Sequence, residues 1–342
     1  LAKRWLDCCL QNHGIPCQRH GLELPTRLVD VGSPDGSDPP KLIATNEIKF
    51  PNPSNVKYLA LSYCWGEDWF LKTTATTIHT LMLSIPWDEL SKTVRDAIMV
   101  ARRLGIQYLW VDSLCIIQGG DTVALSDWQT ESAKMQHIYG GAVLTVAAAH
   151  AATAQDGLFH QRELPDIPFE PLNSSLEYPE TVLVGPEPPL LLSYLEPLTK
   201  RAWALQERLL SNRVLAYGTT GIRWMCQRST HLETSPGLPY QGFRITPGFF
   251  DRPLWICMEW KSIIEEYSHR DLTYITDKLT ALSGLAQDVS RSSKKEYFAG
   301  LCRSDLFMQM LWIHCGKVAQ SGTEYKRQGQ YRAPSWSWAS VD

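Results

Sequence analysis

Residues 57–117 constrain the fold more than any other part of the chain. KYLALSYCWG (57–66) is a short apolar run closed by Gly66, the pattern of a buried strand. SKTVRDAIMVARRLG (91–105) follows after a polar connection. Its Val94, Ala97, Ile98, Ala101 and Leu104 fall on one helical face, with Thr93 as the expected N-cap and Gly105 as the stop. QYLWVDSLCII (107–117) is a second apolar run. Strand, crossover helix, strand is a βαβ unit, and that unit predicts a parallel sheet.

The pattern continues. LSDWQTESAKMQHIYGG (125–141) predicts one helix with Trp128, Ser132, Met135 and Tyr139 on a shared face and Gly140–Gly141 as its end. AVLTVAAAH (142–150) predicts a third strand, RAWALQERLLSNR (201–213) a helix, and RVLAYG (213–218) a fourth strand. A Pro- and Glu-rich stretch at 163–197 interrupts them and reads as an insertion. The order β-α-β-α-β-insert-α-β is that of a doubly wound α/β protein. VGSPDGSDPP (31–40) reads as a loop. Beyond residue 220, ITDKLTALSGLAQ and EYFAGLCRSDLFMQMLWIHC read as helices, and RAPSWSWASVD as an aromatic strand or loop. The expected division is an N-terminal segment 1–45, an α/β core 46–218 with its insertion within 151–198, and a mainly helical extension 219–342.

Charge and composition exclude several classes. With 44% hydrophobic residues, 20% charged residues and thirteen Trp, the chain is expected to build a sizeable core. A net charge of −3 argues against nucleic acid or an anionic membrane as partner. No apolar run approaches the ~20 residues of a bilayer span. No signal peptide is visible, and the first residue is Leu1 rather than Met, so the sequence reads as a fragment. Nine scattered Cys suit reduced thiols in a cytoplasmic setting. The G-x-S-x-G elbow, the phosphate-binding G-x-x-x-x-G-K-[ST] loop and H-E-x-x-H are all absent from the sequence.

Ligands of open parallel sheets bind beyond the C-terminal strand ends. Two such ends are polar here: Ser62-Tyr63-Cys64-Trp65-Gly66-Glu67-Asp68, and Asp112-Ser113-Leu114-Cys115. Asp112 interrupts an apolar run and is expected to face solvent or a partner. Glu207, one helical turn after Trp203, can reach the same rim. Glu131 and Glu207 are equally readable as helix-surface carboxylates, the commoner fate of a helical Glu. Tyr63, Trp65 and Trp203 are equally readable as core aromatics, and Asp112 as a turn former or N-cap. Near the N-terminus, Cys8 or Cys9, His13, Cys17 and His20 offer four metal ligands within a short span. Their spacing matches no strong zinc-finger pattern, so buried thiols with a surface His are preferred and no metal is expected.

YLALSYCWG, AIMVARRLGIQYLWVDSLCIIQ, DWQTESAKMQHIYGGAVLTVAAA and RAWALQERLLSNRVLAYG resemble the four blocks of the fungal heterokaryon incompatibility (HET) domain. LPTRLVDVG ahead of them and RDLTYITDKLTALSGLA, YFAGL and RAPSWSWASVD behind them resemble that domain's usual surroundings. The resemblance implies non-self recognition and regulated cell death after fusion of incompatible hyphae. The HET domain is in turn similar to TIR domains, which implies a TIR-like (flavodoxin-like) parallel sheet flanked by helices. The Trp-to-Glu spacing in AWALQERLL resembles the TIR helix whose Glu is essential for cleaving nicotinamide from NAD. Carried across, Glu207 is the catalytic candidate, with Glu131 second. Ser62, Tyr63, Trp65, Gly66, Asp112 and Trp203 are the candidate residues around NAD, which would be the substrate. The alternative is a non-enzymatic module that self-associates or binds a fungal sensor protein.

Overall fold

Each of the four apolar runs contributes a strand to a single sheet, although in the second only Tyr108–Trp110 is strand and Asp112–Cys115 is a short helix. The computed structural model describes residues 1–14, 17, 23–47, 56–67, 69–161, 170–171, 183–184, 196–233, 256–293, 296–313 and 331–341. The main sheet contains β1 (Arg27–Asp30), β2 (Lys41–Ala44), β3 (Tyr58–Ser62), β4 (Tyr108–Trp110) and β5 (Leu144–Ala147). It also contains β8 (Arg213–Tyr217), β9 (Ile222–Cys226) and β10 (Thr230–Leu232), while β6 (Glu170–Pro171) and β7 (Leu183–Val184) pair as a separate hairpin. Its order is β10-β9-β8-β5-β3-β4-β1-β2. The central strands β8, β5, β3 and β4 are parallel. Every residue of β3, β5 and β8 is buried, as expected where helices cover both faces of a parallel sheet. Taken in chain order, these four strands lie second, first, third, fourth.

The sheet extends past both expected boundaries. β1 and β2 add an antiparallel pair beside β4, inside the expected N-terminal segment. β9 and β10 add another beside β8, where a helical extension was expected. Each of these strands is three to five residues long, too short to carry a strong pattern.

Helix α1 (Ala2–Asn12) precedes the sheet, α2 (Ile78–Leu83) and α3 (Lys92–Leu104) link β3 to β4, and α4 (Asp112–Cys115), α5 (Thr122–Ala133) and α6 (Met135–Gly141) link β4 to β5. α3 buries Val94, Ala97, Ile98 and Ala101 as its periodicity predicts, and Gly105 ends it at φ 73°. The expected N-cap is corrected: the cap is Ser91, and Thr93 lies inside the first turn. Thr93 Oγ1 instead accepts the Gly157 N–H at 3.1 Å, and Asp96 accepts Leu158 N–H at 2.7 Å, so this helix end anchors the loop after β5. The single helix expected at 125–141 is two, α5 and α6. Between them Lys134 reaches Thr26 Oγ1 (3.0 Å) and the Glu131 carboxylate (3.5 Å).

The helix carrying Glu207 spans Ala202–Leu210, where the sequence predicts it. Two longer helices, Ile256–Ser268 and Ser283–Ser293, pack beyond it. The expected helix across 296–315 is corrected in its first part, where β11 (Tyr297–Phe298) and β12 (Leu301–Cys302) form a hairpin; helical turns follow only at Arg303–Asp305 and Leu306–Gln309. Ala299 and Gly300 turn the hairpin at φ 42° and 98°. Gly300 O receives both the Trp260 and Trp338 indole N–H groups, at 2.9 and 3.1 Å. A Cβ on Gly300 would lie 2.5 Å from the Trp338 ring nitrogen. Tertiary packing of two Trp side chains thus overrides an apolar run that looks helical. Most of the expected insertion at 163–197 lies outside the described residues.

Candidate functional site

Ser62 ends β3, the first of the parallel strands, and its side chain points toward the Glu207 helix. Its hydroxyl donates to Glu207 Oε2. Tyr139 of α6 donates its hydroxyl to Leu61 O at 3.2 Å, and that hydroxyl also favours the ionised carboxylate. Glu207 is only 5% exposed, because nearly every residue of its helix is buried. The surface alternative for this carboxylate is therefore removed.

Burial is the dominant force on Glu207 and pushes its carboxyl up from 4.5 to about 7. Arg201 and the Ser62 hydroxyl oppose that rise, Asp112 adds to it, and the Tyr139 hydroxyl opposes it. Arg201 immediately precedes the helix and donates to Tyr63 O. Burial works against its charge, but Glu207 is the largest of the negative groups that together hold its pKa above the ordinary value.

Asp112 opens α4, just beyond β4. It accepts the Trp65 indole N–H at 2.9 Å and the Ser113 backbone N–H at 2.7 Å. Burial raises its carboxyl, opposed first by Arg201. Asp112 is therefore the paired residue of the two fates expected for it. Tyr63 is 1% exposed and donates to Ser113 Oγ at 2.8 Å, so its ring faces the core rather than a ligand. Trp65 is half-buried, edge-on to Phe70, with the Lys72 ammonium 4.5 Å from its ring centre. Gly66 has φ 72°, and a Cβ there would meet Thr153 Cβ at 2.7 Å. Trp203 turns to Trp128, with ring centres 6.3 Å apart, and hydrogen-bonds Asp277. Glu131 is 0% exposed, is bonded by Thr26 and paired with Lys134, and does not join the Glu207 cluster. Asp68 and His20 lie outside the described residues.

The structure thus gathers Ser62, Glu207, Asp112 and, through its backbone carbonyl, Tyr63 around Arg201. Arg201 and Tyr139 escaped sequence reasoning. A signal existed for Arg201: a cation at a helix N-terminus opposes the helix dipole, so its presence there called for a carboxylate partner. Tyr139 gave none, being one apolar-face residue among several.

The space beside Ser62 is narrow. A cavity of about 30 Å³ is lined by Ser62, Thr145, Ala147, Ala204, Arg208 and Arg270 among others, room for roughly one water molecule. The segment after the Ile256–Ser268 helix closes this side. Ala202 N–H donates to Asp271 O at 2.9 Å, and Arg270 donates to Arg201 O at 3.1 Å. Glu266 joins Arg208 (2.7 Å) and Arg270 (2.6 Å).

Of the N-terminal metal-ligand candidates, Cys8 is exposed, whereas Cys9, His13 and Cys17 converge with Cys226 of β9. No helix among the described residues is long and apolar enough to cross a membrane.

No curated protein and no solved structure matches the chain. The family model of the heterokaryon incompatibility protein (HET) matches residues 58–207, from the first residue of β3 to Glu207 itself. The two outermost residues of the match belong to the strand and the helix that the Ser62–Glu207 hydrogen bond joins, so the part of the chain that is similar to the HET family begins and ends on that pair of elements.

Proposed function

We propose that this HET domain is a TIR-like, flavodoxin-like module of fungal non-self recognition and programmed cell death. It acts in the cytoplasm and cleaves NAD to nicotinamide and ADP-ribose, with Glu207 as the catalytic carboxylate. The observation that carries this reading is the buried Glu207 carboxylate, bonded by Ser62 at the C-terminal edge of the parallel strands. The strand order second, first, third, fourth supports it, because ligands of open α/β sheets lie where that order reverses. Ser62 ends the first strand, on the border of that reversal.

Cleavage breaks the bond between ribose C1′ and the nicotinamide nitrogen. The bonding electron pair leaves with nicotinamide, and water adds to C1′ and releases a proton. The leaving group departs neutral, so no acid is required; an anion facing the cationic ribose is. Glu207 supplies that anion and accepts hydrogen bonds from the ribose hydroxyls. Ser62 fixes its Oε2, and Arg201 favours its ionised form. Trp65, the half-buried aromatic of the rim, offers a stacking face, while Asp112 orients it through the indole N–H. Backbone N–H groups around Gly66 are the anchors for pyrophosphate. No metal takes part. The narrow cavity requires that the Glu266–Asp271 segment move before NAD enters.

That closed state is also the observation that favours a second reading, a non-enzymatic module that signals by self-association or by binding a sensor protein. Exposed Phe307, Met308, Leu311 and Ile313 offer it a contact surface. Nicotinamide release from NAD by the wild-type chain and by Glu207→Gln separates the two. Release from the wild type alone supports the enzyme. Higher-order assembly on size-exclusion chromatography, with no release and no thermal response to NAD, supports the scaffold.

A further inference from the structure

Cys9, His13, Cys17 and Cys226 come from three separate places: α1, the turn after it, and β9. Their ligand atoms nevertheless all lie within 4.8 Å of one another. His13 Nδ1 is 3.4 Å from Cys226 Sγ and 3.9 Å from Cys17 Sγ. Tetrahedral zinc, with bonds of about 2.3 Å to sulfur and about 2.0 Å to nitrogen, sets such ligands about 3.5 Å apart. The two observed distances lie on either side of that value. All three cysteines are buried and free of disulfide bonds.

Arg213 of β8 is a second, independent observation. This arginine is 2% exposed. Its Nε–H donates to Cys9 Sγ at 3.1 Å, and its other nitrogens donate to Val143 O (3.2 Å) and Cys17 O. A buried guanidinium needs a compensating negative charge. Three thiolates around one divalent cation leave one net negative charge, and Arg213 answers it.

We propose that Cys9, His13, Cys17 and Cys226 form a structural zinc site that fastens the N-terminal segment to β9. Three thiolates and an imidazole suit zinc rather than a hard cation. Binding releases the three thiol protons to solvent, and no redox step is involved. Four protein ligands leave no open position, so the site is structural rather than catalytic. The nearby packing fits this role: Trp5 of α1 stacks on His231 of β10 at 6.0 Å and meets Trp224 of β9 at 6.4 Å. The sequence offered three of the four ligands. The fourth, Cys226, was not among the candidates.

The test is metal analysis of the full chain purified without chelator, beside Cys17→Ser, Cys226→Ser and the exposed-thiol control Cys8→Ser. The wild type and Cys8→Ser are expected to hold about one zinc per chain, and the other two variants far less. Should those variants fail to fold, cobalt substitution of the wild type gives the second readout, with the visible bands of tetrahedral thiolate coordination expected. Limited proteolysis after chelation is expected to cut the N-terminal segment faster than the sheet. Sub-stoichiometric zinc in the wild type, a different stoichiometric metal, a disulfide among Cys9, Cys17 and Cys226 by mass, or unchanged zinc in Cys17→Ser would overturn the assignment.

Discussion

Ser62 and Glu207 are 145 residues apart in sequence and share a buried hydrogen bond that joins the end of β3 to the last residue of the HET match. The bond holds one carboxylate oxygen in a fixed place in a dry environment. Burial still outweighs the attractive partners, so Glu207 keeps its proton up to about pH 7.

Stability is expected to fall as pH rises from 4.5 to 7. Below 4.5, folded and unfolded chains both carry the Glu207 proton. Between 4.5 and about 7 the unfolded chain loses it while the folded chain retains it, so the fold is progressively disfavoured. Above 7 this contribution is flat, and its full size is about 3 kcal/mol. Glu207→Gln is expected to remove the slope. Urea unfolding at pH 5, 6, 7 and 8 checks it; parallel slopes for wild type and variant would count against the buried protonated state.

Arg201 lowers the Glu207 pKa more than any other group. In Arg201→Gln the carboxyl is expected to titrate above 7. If the ionised form is the active one, the midpoint of the pH–rate profile moves to the alkaline side, with the plateau rate less affected. A profile that drops uniformly without shifting would show that Arg201 acts elsewhere.

Glu266 clamps Arg208, on the Glu207 helix, to Arg270. Burial alone would raise the Glu266 carboxyl, but Arg208 and Arg270 hold it below the ordinary range. The clamp is therefore kept above that depressed value and is lost only as pH falls through it. Glu266→Gln is expected to cost about 3 kcal/mol, as breaking a largely buried pair does. Hydrogen exchange in 201–210 should rise more than in β3 and β5. Equal protection in the wild type and Glu266→Gln would mean that the segment does not hold the helix.

Gly66 combines φ 72° with a Cβ position 2.7 Å from Thr153 Cβ. Gly66→Ala is expected to cost about 2 kcal/mol or more, from backbone strain and the clash together. Thermal unfolding measures it. Adding Thr153→Gly should recover the clash and leave the strain, whereas no recovery would place the cost elsewhere.

The parallel core was legible because strands buried on both faces are continuous apolar runs. β3, β4, β5 and β8 each stood out for that reason. β1, β2, β9 and β10 are short strands outside this core, and RLVD or IRWMC shows little periodicity by itself. The β11–β12 hairpin was read as helix because its turn depends on Trp260 and Trp338, which lie far away in sequence. Glu207 was visible through its spacing from Trp203, yet the structure gives Trp203 to Trp128 and Asp277 rather than to the carboxylate. The true partners, Ser62, Tyr139 and Arg201, meet it through sheet order and helix packing, which local pattern does not encode. Cys226 is the same case: only the pairing of β9 with β8 brings it beneath α1.

The measurement that bears most directly on the Glu207 site is nicotinamide release at millimolar NAD by four forms of the full chain: wild type, Glu266→Gln, Glu207→Gln and the double variant. Release is expected from the wild type, more from the unclamped Glu266→Gln, and a loss of ~10²-fold or more whenever Glu207 is replaced. Equal release with and without Glu207, or none from folded Glu266→Gln, would contradict the account.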